Sequence, residues 1–136
     1  MKKNLKVDDL MDRVFVTFSP ETPVPDAVDV LGKKRLFGAC VVDNDGKVLG
    51  ILSEKKCIKL YLEAFSTGSI KPIEEATVMD IMYDDFKTVQ KSTGVVEAAQ
   101  VFLTTDFRRM PVVEHGKMVG QITRRDIIKA IELFSI

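Results

Sequence analysis

Gly120-Gln121-Ile122-Thr123-Arg124-Arg125-Asp126 sets a threonine three residues ahead of an aspartate. The apolar pattern around them predicts a strand ending at Thr123 and a helix starting over Arg124 to Asp126. At such a junction the hydroxyl and the first helical N–H groups can hold an anionic group such as phosphate. The aspartate can accept hydrogen bonds from two vicinal hydroxyls, as on ribose. The same residues also serve as a plain helix cap, Thr123 capping the first turn and Asp126 favouring the helix dipole. Taken alone, the spacing fits both.

Other reactive-looking residues have simpler readings. Asp43-Asn44-Asp45-Gly46 starts like a calcium loop, but Lys47 occupies the next ligand position, so a hairpin turn is expected. His115 is the single histidine, lies in a predicted turn, and has no cysteine or serine partner nearby to make a catalytic set. Cys40 and Cys57 stand apart in apolar contexts and read as small buried thiols, with no disulfide expected. Of the basic pairs Arg108-Arg109 and Arg124-Arg125, two arginines are candidates to face phosphate and the others to be solvated. No Walker loop and no zinc-ligand pair occurs. The chain therefore reads as non-enzymatic, without a metal.

The elements that must position the junction occur twice. Val7-x-Asp9-x-Met11, then Phe15 and Thr17, returns 71 residues later as Val78-x-Asp80-x-Met82, then Phe86 and Thr88. The offset of 71 runs through Thr22/Thr93, Val24/Val95, Ala27/Ala98 and Val41/Val112. Past a one-residue deletion in a turn it becomes 70, through Gly46/Gly116, Gly50/Gly120 and Ile58/Ile128. This period is outside the short solenoid range. It predicts a two-repeat globular module with pseudo-twofold symmetry.

Each repeat reads β-α-β-β-α, giving an α/β (α+β) fold. The first strands are Phe15 to Phe18 and Phe86 to Val89. Thr22 and Thr93 are expected to cap the first helices, with Pro23 at the first helical position. Val24, Ala27, Val28, Leu31 and Val95, Ala98, Ala99, Phe102 form their apolar faces. The hairpin strands are Ala39 to Val42 with Lys47 to Leu52, and Met110 to Val113 with Lys117 to Ile122. The closing helices run from Lys55 to Ala64 and from Arg125 to Phe134. The repeats are placed at 7–64 and 75–134, with a linker at 65–74 marked by small polar residues, Gly68 and Pro72. Packing of the repeats sheet to sheet covers one set of apolar faces. Ile127, Ile128, Ile131 and Phe134 then either leave a stripe for a second subunit, making a homodimer, or complete the monomer core.

The tandem arrangement, the Arg109-Met110-Pro111-Val112-Val113 strand and the Gly120-x-Ile122-Thr123-x-x-Asp126 junction together resemble the CBS-domain family, in the paired form called a Bateman module. The resemblance covers residues 7 to 134. It implies a regulatory fold that binds adenosine-containing ligands (AMP, ADP, ATP or S-adenosylmethionine) in clefts between the repeats. Carried over position by position, Asp126 matches the ribose-binding aspartate and Thr123 the residue beside the phosphate. Arg109, Met110 and Pro111 match the strand that lines the base and reaches toward phosphate, and Thr88 the polar residue whose backbone faces the adenine edge. The first repeat departs from the pattern. It keeps Ser53 but has Lys56 in place of the aspartate, and Gly38-Ala39-Cys40 replaces arginine, methionine and proline. Lysine cannot accept from ribose hydroxyls. One competent cleft and one degraded or altered cleft are therefore expected. Lys56 either meets a polyphosphate as a point charge or is simply solvated; Thr17 and Ser53 are weaker candidates.

Lysine plus arginine balance aspartate plus glutamate at 20 each, which gives no bulk reason to expect nucleic acid. No apolar run approaches the ~18 residues needed to cross a bilayer, and the basic opening runs into Asp8-Asp9, so no membrane, no secretion and a cytoplasmic location are expected. The leading expectation is a ligand sensor that acts on an unidentified protein effector, and the alternative is a ligand-free dimerisation or protein-interaction module.

Overall fold

The computed structural model describes residues 4–134. The chain forms two compact units, and the division does not follow the repeats. A central unit is Val16–Asp85; a terminal unit joins the residues before Val16 to those from Phe86 onward. The opening segment of each repeat thus belongs to the unit that holds the other repeat's hairpin.

The central unit holds β1 (Thr17–Phe18), α2 (Val24–Lys34), β2 (Gly38–Val42), β3 (Val48–Ser53), α3 (Glu54–Thr67), α4 (Lys71–Glu75) and α5 (Val78–Ile81), α1 lying in the terminal unit. Its sheet has the order β1-β2-β3, with β1 parallel to β2 and β2 antiparallel to β3. Phe18, Ala27, Leu31, Ala39, Val41, Leu52, Cys57 and Val78 form its core. The terminal unit holds α1 (Val7–Leu10), α6 (Val95–Thr104), β4 (Arg109–Glu114), β5 (Lys117–Thr123) and α7 (Arg124–Phe134). Its core is Val7, Met11, Ala98, Phe102, Met110, Val112 and Ile122. The β4–β5 hairpin turns through His115 (φ 53°) and Gly116 (φ 78°). Two central residues at positive φ make a type I′ turn, where glycine is favoured and the right-handed strand twist is matched. In the other hairpin, Asp43 Oδ1 accepts from the N–H groups of Asp45 and Lys47, both at 2.9 Å, so that carboxylate closes a turn, as the sequence predicts.

Several expectations need correction. Of Phe86 to Val89, only Val89 pairs, in parallel with Val112. In the first repeat Val16 packs on the core, whereas Lys87 at the matching position is exposed, so the second repeat loses that anchor. Thr22 and Thr93 are not the caps. The N-cap positions are Pro23 and Gly94, with Pro25 in the first turn of α2. Tertiary carbonyls take over the duty. The Val24 N–H donates to Ala76 O and the Val95 N–H to Leu5 O, both at 3.0 Å. Thr22 O and Thr93 O in turn accept from the Val78 and Val7 N–H groups, each at 2.8 Å. The first helix of each repeat and the opening segment of the other satisfy one another's orphan backbone groups. The segment expected as a linker is largely helical: α3 continues through Phe65 to Thr67, and α4 is anchored by buried Ile73. On α7, Ile127 packs into the core while Ile128 and Ile131 are 55% and 54% exposed, so the stripe does not wholly complete the core; the Phe134 side chain lies outside the described residues.

Candidate functional site

All six principal candidates fall in the terminal unit. Arg109 opens β4 and stands opposite Thr123, the last residue of β5. Pro111 O accepts from the Val89 N–H at 3.0 Å, which brings the Val89 strand, and Thr88 one residue before it, alongside β4. Strand alternation splits β4. Met110 and Val112 join the core, so the Met110 side chain is committed to packing; Arg109 is half-buried, and Pro111 is buried outside that cluster.

Thr123 and Asp126 bond reciprocally. Asp126 Oδ2 accepts from the Thr123 N–H at 2.9 Å and from its hydroxyl at 3.0 Å, and the Asp126 N–H lies 3.3 Å from Thr123 Oγ1. This is a capping box with aspartate in the acidic position. Asp126 is 1% exposed and is the one charged residue buried to that degree among the described residues. The Lys129 ammonium lies 3.5 Å from its Oδ1. The Thr123 donors occupy Oδ2, and the Lys129 ammonium stands near Oδ1.

Sequence reasoning missed Asp12. It lies just past α1 and is bonded to β5 through both backbone groups, N–H to Gln121 O at 2.8 Å and O from the Gln121 N–H at 3.1 Å. Its carboxyl is close enough to Asp126, Lys129 and Gln121 to feel their charge and polarity. Burial pushes the Asp12 carboxyl above its ordinary range, the Asp126 charge and hydrogen bond push the same way, and Lys129 and Gln121 oppose them. The signal lay in the repeat itself: the offset of 71 sets Asp12 against Tyr83, just after the shared methionine.

The weaker candidates fall in the central unit. Thr17 pairs with Cys40, and Ser53 with Gly38. Ser53 caps α3, its Oγ accepting from the Lys56 N–H at 3.3 Å. Lys56 is half-buried beside a cavity of about 210 Å³ lined also by Lys59, Glu63 and Asp80. By the Ile51–Tyr83 pairing, Tyr83 takes there the place that Asp12 takes in the terminal unit. Arg124 is exposed, and its Nε donates to Phe107 O at 2.8 Å, tying down the turn before β4. Among the described residues no group of three or more His, Cys, Asp or Glu is placed to hold a metal ion.

The CBS domain model matches residues 7–63 and again 78–133. The chain belongs to the CBS-domain family. Two crystal structures of CBSX2, a CBS-pair protein from Arabidopsis thaliana, share the fold at 29% identity. One superposes with a TM-score of 0.86, covering 98% of both chains. The other, in complex with AMP, gives 0.83 over 96% of this chain and 98% of that one. CBSX1 of Arabidopsis thaliana, a chloroplastic CBS domain-containing protein, is 30% identical over 82% of this chain and 56% of its own length. The A-adding tRNA nucleotidyltransferase of Aquifex aeolicus is 32% identical over 94% of this chain, which spans only 14% of that enzyme. The CBS pair therefore recurs both in small proteins and as a minor part of a large enzyme. No helix among the described residues of this CBS pair is long and apolar enough to cross a membrane.

Proposed function

We propose that this CBS pair is a non-catalytic regulatory module that binds an adenosine nucleotide at the Thr123–Asp126 junction and transmits its occupancy to a partner protein. The observation that carries the reading is the buried Asp126 side chain at the start of α7, with Arg109 directly across the hairpin from Thr123. A carboxylate in this position suits a ribose diol, and a half-buried arginine beside a helix N-terminus suits a phosphate. AMP is the best-supported ligand, since CBSX2 was crystallised with it; ADP, ATP and S-adenosylmethionine are the alternatives to test beside it. A nucleotide can shift the module only by binding two of its states unequally. Two buried cysteines that form no disulfide support a reducing, cytoplasmic setting.

Isothermal titration with AMP tests the site. Replacing Asp126 by alanine removes the acceptor and should weaken AMP by about 1.5–3 kcal/mol, the range for hydrogen bonds to charged groups. Because Asp126 also caps α7, the titration is run well below the melting temperature of the variant. Equal affinities in wild type and Asp126→Ala would remove the site.

The competing reading, a ligand-free interaction module, draws on the exposed apolar helix faces. Leu103 is 86% exposed and lies with Ile128 and Ile131 along one groove of α6 and α7. The two readings combine if that face seats a second chain and the nucleotide acts on the pairing.

A further inference from the structure

The two exposed helical faces are equivalent by the repeat but not alike in their side chains. The face of α2 and α3 in the central unit carries two adjoining cavities, of about 450 and 350 Å³, that share Val28, Cys57 and Ile58. The face of α6 and α7 in the terminal unit carries a groove of about 570 Å³. The offset of 71 on the first helices sets Gly32 against Leu103, and the offset of 70 on the last sets Glu54 against Arg124. All four residues line these cavities.

The differences run in opposite senses. Nothing lies within 4 Å of where a Gly32 Cβ would stand, so the central face is hollow there. Leu103, at the equivalent place, is 86% exposed and projects from the terminal face. Lower in the same groove, the small Cys57 is answered by the longer Ile127. The central cavity is lined by Glu54 and Arg35, charges of both signs, whereas the terminal groove has Arg124 and no acid among its described lining residues. A terminal face set on a second terminal face therefore meets projections and finds no acid in the groove for its arginine. A central face set on a second central face leaves hollows on both sides, and unfilled hollows forfeit packing contacts.

We propose that two copies of this chain associate through unlike faces, the α6–α7 face of one seated on the α2–α3 face of the other. Leu103 fills the hollow at Gly32, and Arg124 meets Glu54. The bond from Arg124 Nε to Phe107 O holds the guanidinium at that end of the groove. The charges select more than they bind, since an exposed pair contributes little while like charges brought together are costly. The occupant is a second copy because the complement of each face, in shape and in charge, is present on the chain itself. Two copies about a twofold axis make the contact twice, so each face matches and covers its counterpart. The pairing is independent of what the Thr123–Asp126 junction binds.

Mixing two variants tests the pairing without depending on which side chains touch. Ile58→Glu with Leu62→Glu spoils the central face, and Leu103→Glu with Ile128→Glu spoils the terminal face. Each position is more than half exposed, so the fold should tolerate the charge, as thermal melting checks. The alanine versions of both variants carry the same test if a glutamate version unfolds. With unlike faces, each variant alone has one damaged side in every contact and should sediment as a monomer where wild type is a dimer. An equimolar mixture keeps one undamaged contact per pair and should dimerise at least about tenfold more tightly than either variant alone, the worth of one apolar side chain kept buried. Like-face pairing reverses this, because each variant alone keeps one undamaged contact and the mixture keeps none. Dimers of the separate variants that mixing weakens or leaves unchanged would overturn the proposal. So would a mixture that associates no better than its components, or a monomeric wild type.

Discussion

Oδ2 of Asp126 takes both donors of Thr123, and what remains of the carboxylate faces a cation and a second acid. The stability consequence of that acid pair can be worked out without any ligand. Asp12 binds its proton more tightly in the fold than in the unfolded chain. Its contribution is therefore complete below the unfolded carboxylate range and is lost as pH rises through the folded value. At neutral pH the Asp12 charge is less well accommodated in the fold than in the unfolded chain. Asp12→Asn should raise the melting temperature at pH about 7 and give no comparable gain at pH about 3, below the ordinary aspartate range. Melting curves of both proteins at the two pH values decide this. A variant less stable than wild type at both would show that the carboxylate is held by favourable contacts that asparagine cannot replace. At this scale the sequence revealed half the chemistry. Thr123 and Asp126 were legible because their spacing is local, one helical turn apart. Asp12 was not, because it meets Asp126 only through a pairing between residues more than a hundred positions apart.

Two glycines show why the opening segments and the hairpins belong together. A Cβ on Gly120 would stand 2.9 Å from Asp12 O and 2.9 Å from Met11 Sδ; one on Gly50 would stand 2.8 Å from Tyr83 O and 2.8 Å from Met82 Sδ. The methionine sulfur can yield, but the carbonyl is fixed in the ladder to β5 or β3. The repeated glycine is thus a crossing point where the segment from the other repeat lies directly on the strand. Gly120→Ala and Gly50→Ala should each destabilise the fold by about 1–3 kcal/mol, as overpacking does. Gly32, in the last turn of α2, meets nothing within 4 Å, and Gly32→Ala should stabilise by up to about 1 kcal/mol. Urea denaturation of the three variants separates the cases; a neutral Gly120→Ala would mean the segment shifts freely, and the crossing would then fix nothing. The hairpins and helices were legible from alternation and from the 3.6 period, which are local signals. The first helix of each repeat was misplaced by one residue because its N–H groups are satisfied by carbonyls of the other repeat, where a local rule looks for a side-chain cap. The length of α3 was underread because Ser66 and Thr67, polar and apparently linker-like, bond back to Leu62 O and Ala64 O within the last turn.

At the scale of the whole molecule, duplication has left each unit with an apolar helix face in water. In the terminal unit it is the groove of about 570 Å³ lined by Phe102, Leu103, Ile128 and Ile131. In the central unit, Ile58, Leu62 and Phe65 of α3 are exposed beside Val28 of α2. Clustered large side chains of this kind are uncommon on a free surface, unlike single scattered ones. A second chain is a fitting occupant, because a twofold dimer covers matching faces with matching faces. Burying each isoleucine or leucine contributes about 1.5–3 kcal/mol, so a handful suffices to offset the entropy of association. Wild type should therefore sediment at twice the chain mass, with a melting temperature that rises with protein concentration. Ile128→Glu with Ile131→Glu should give a folded monomer, since both positions are exposed within the chain and tolerate charge there. The corresponding Ile58→Glu with Leu62→Glu tests the central unit alone. If one pair dissociates the dimer and the other does not, only that unit's face is the interface, and the remaining face is left for the effector. If neither pair changes the mass, the stripes are not what joins two chains. Comparing sedimentation with and without AMP then reads the regulation directly: a nucleotide bound beside α7 alters pairing only if the paired and free states bind it unequally.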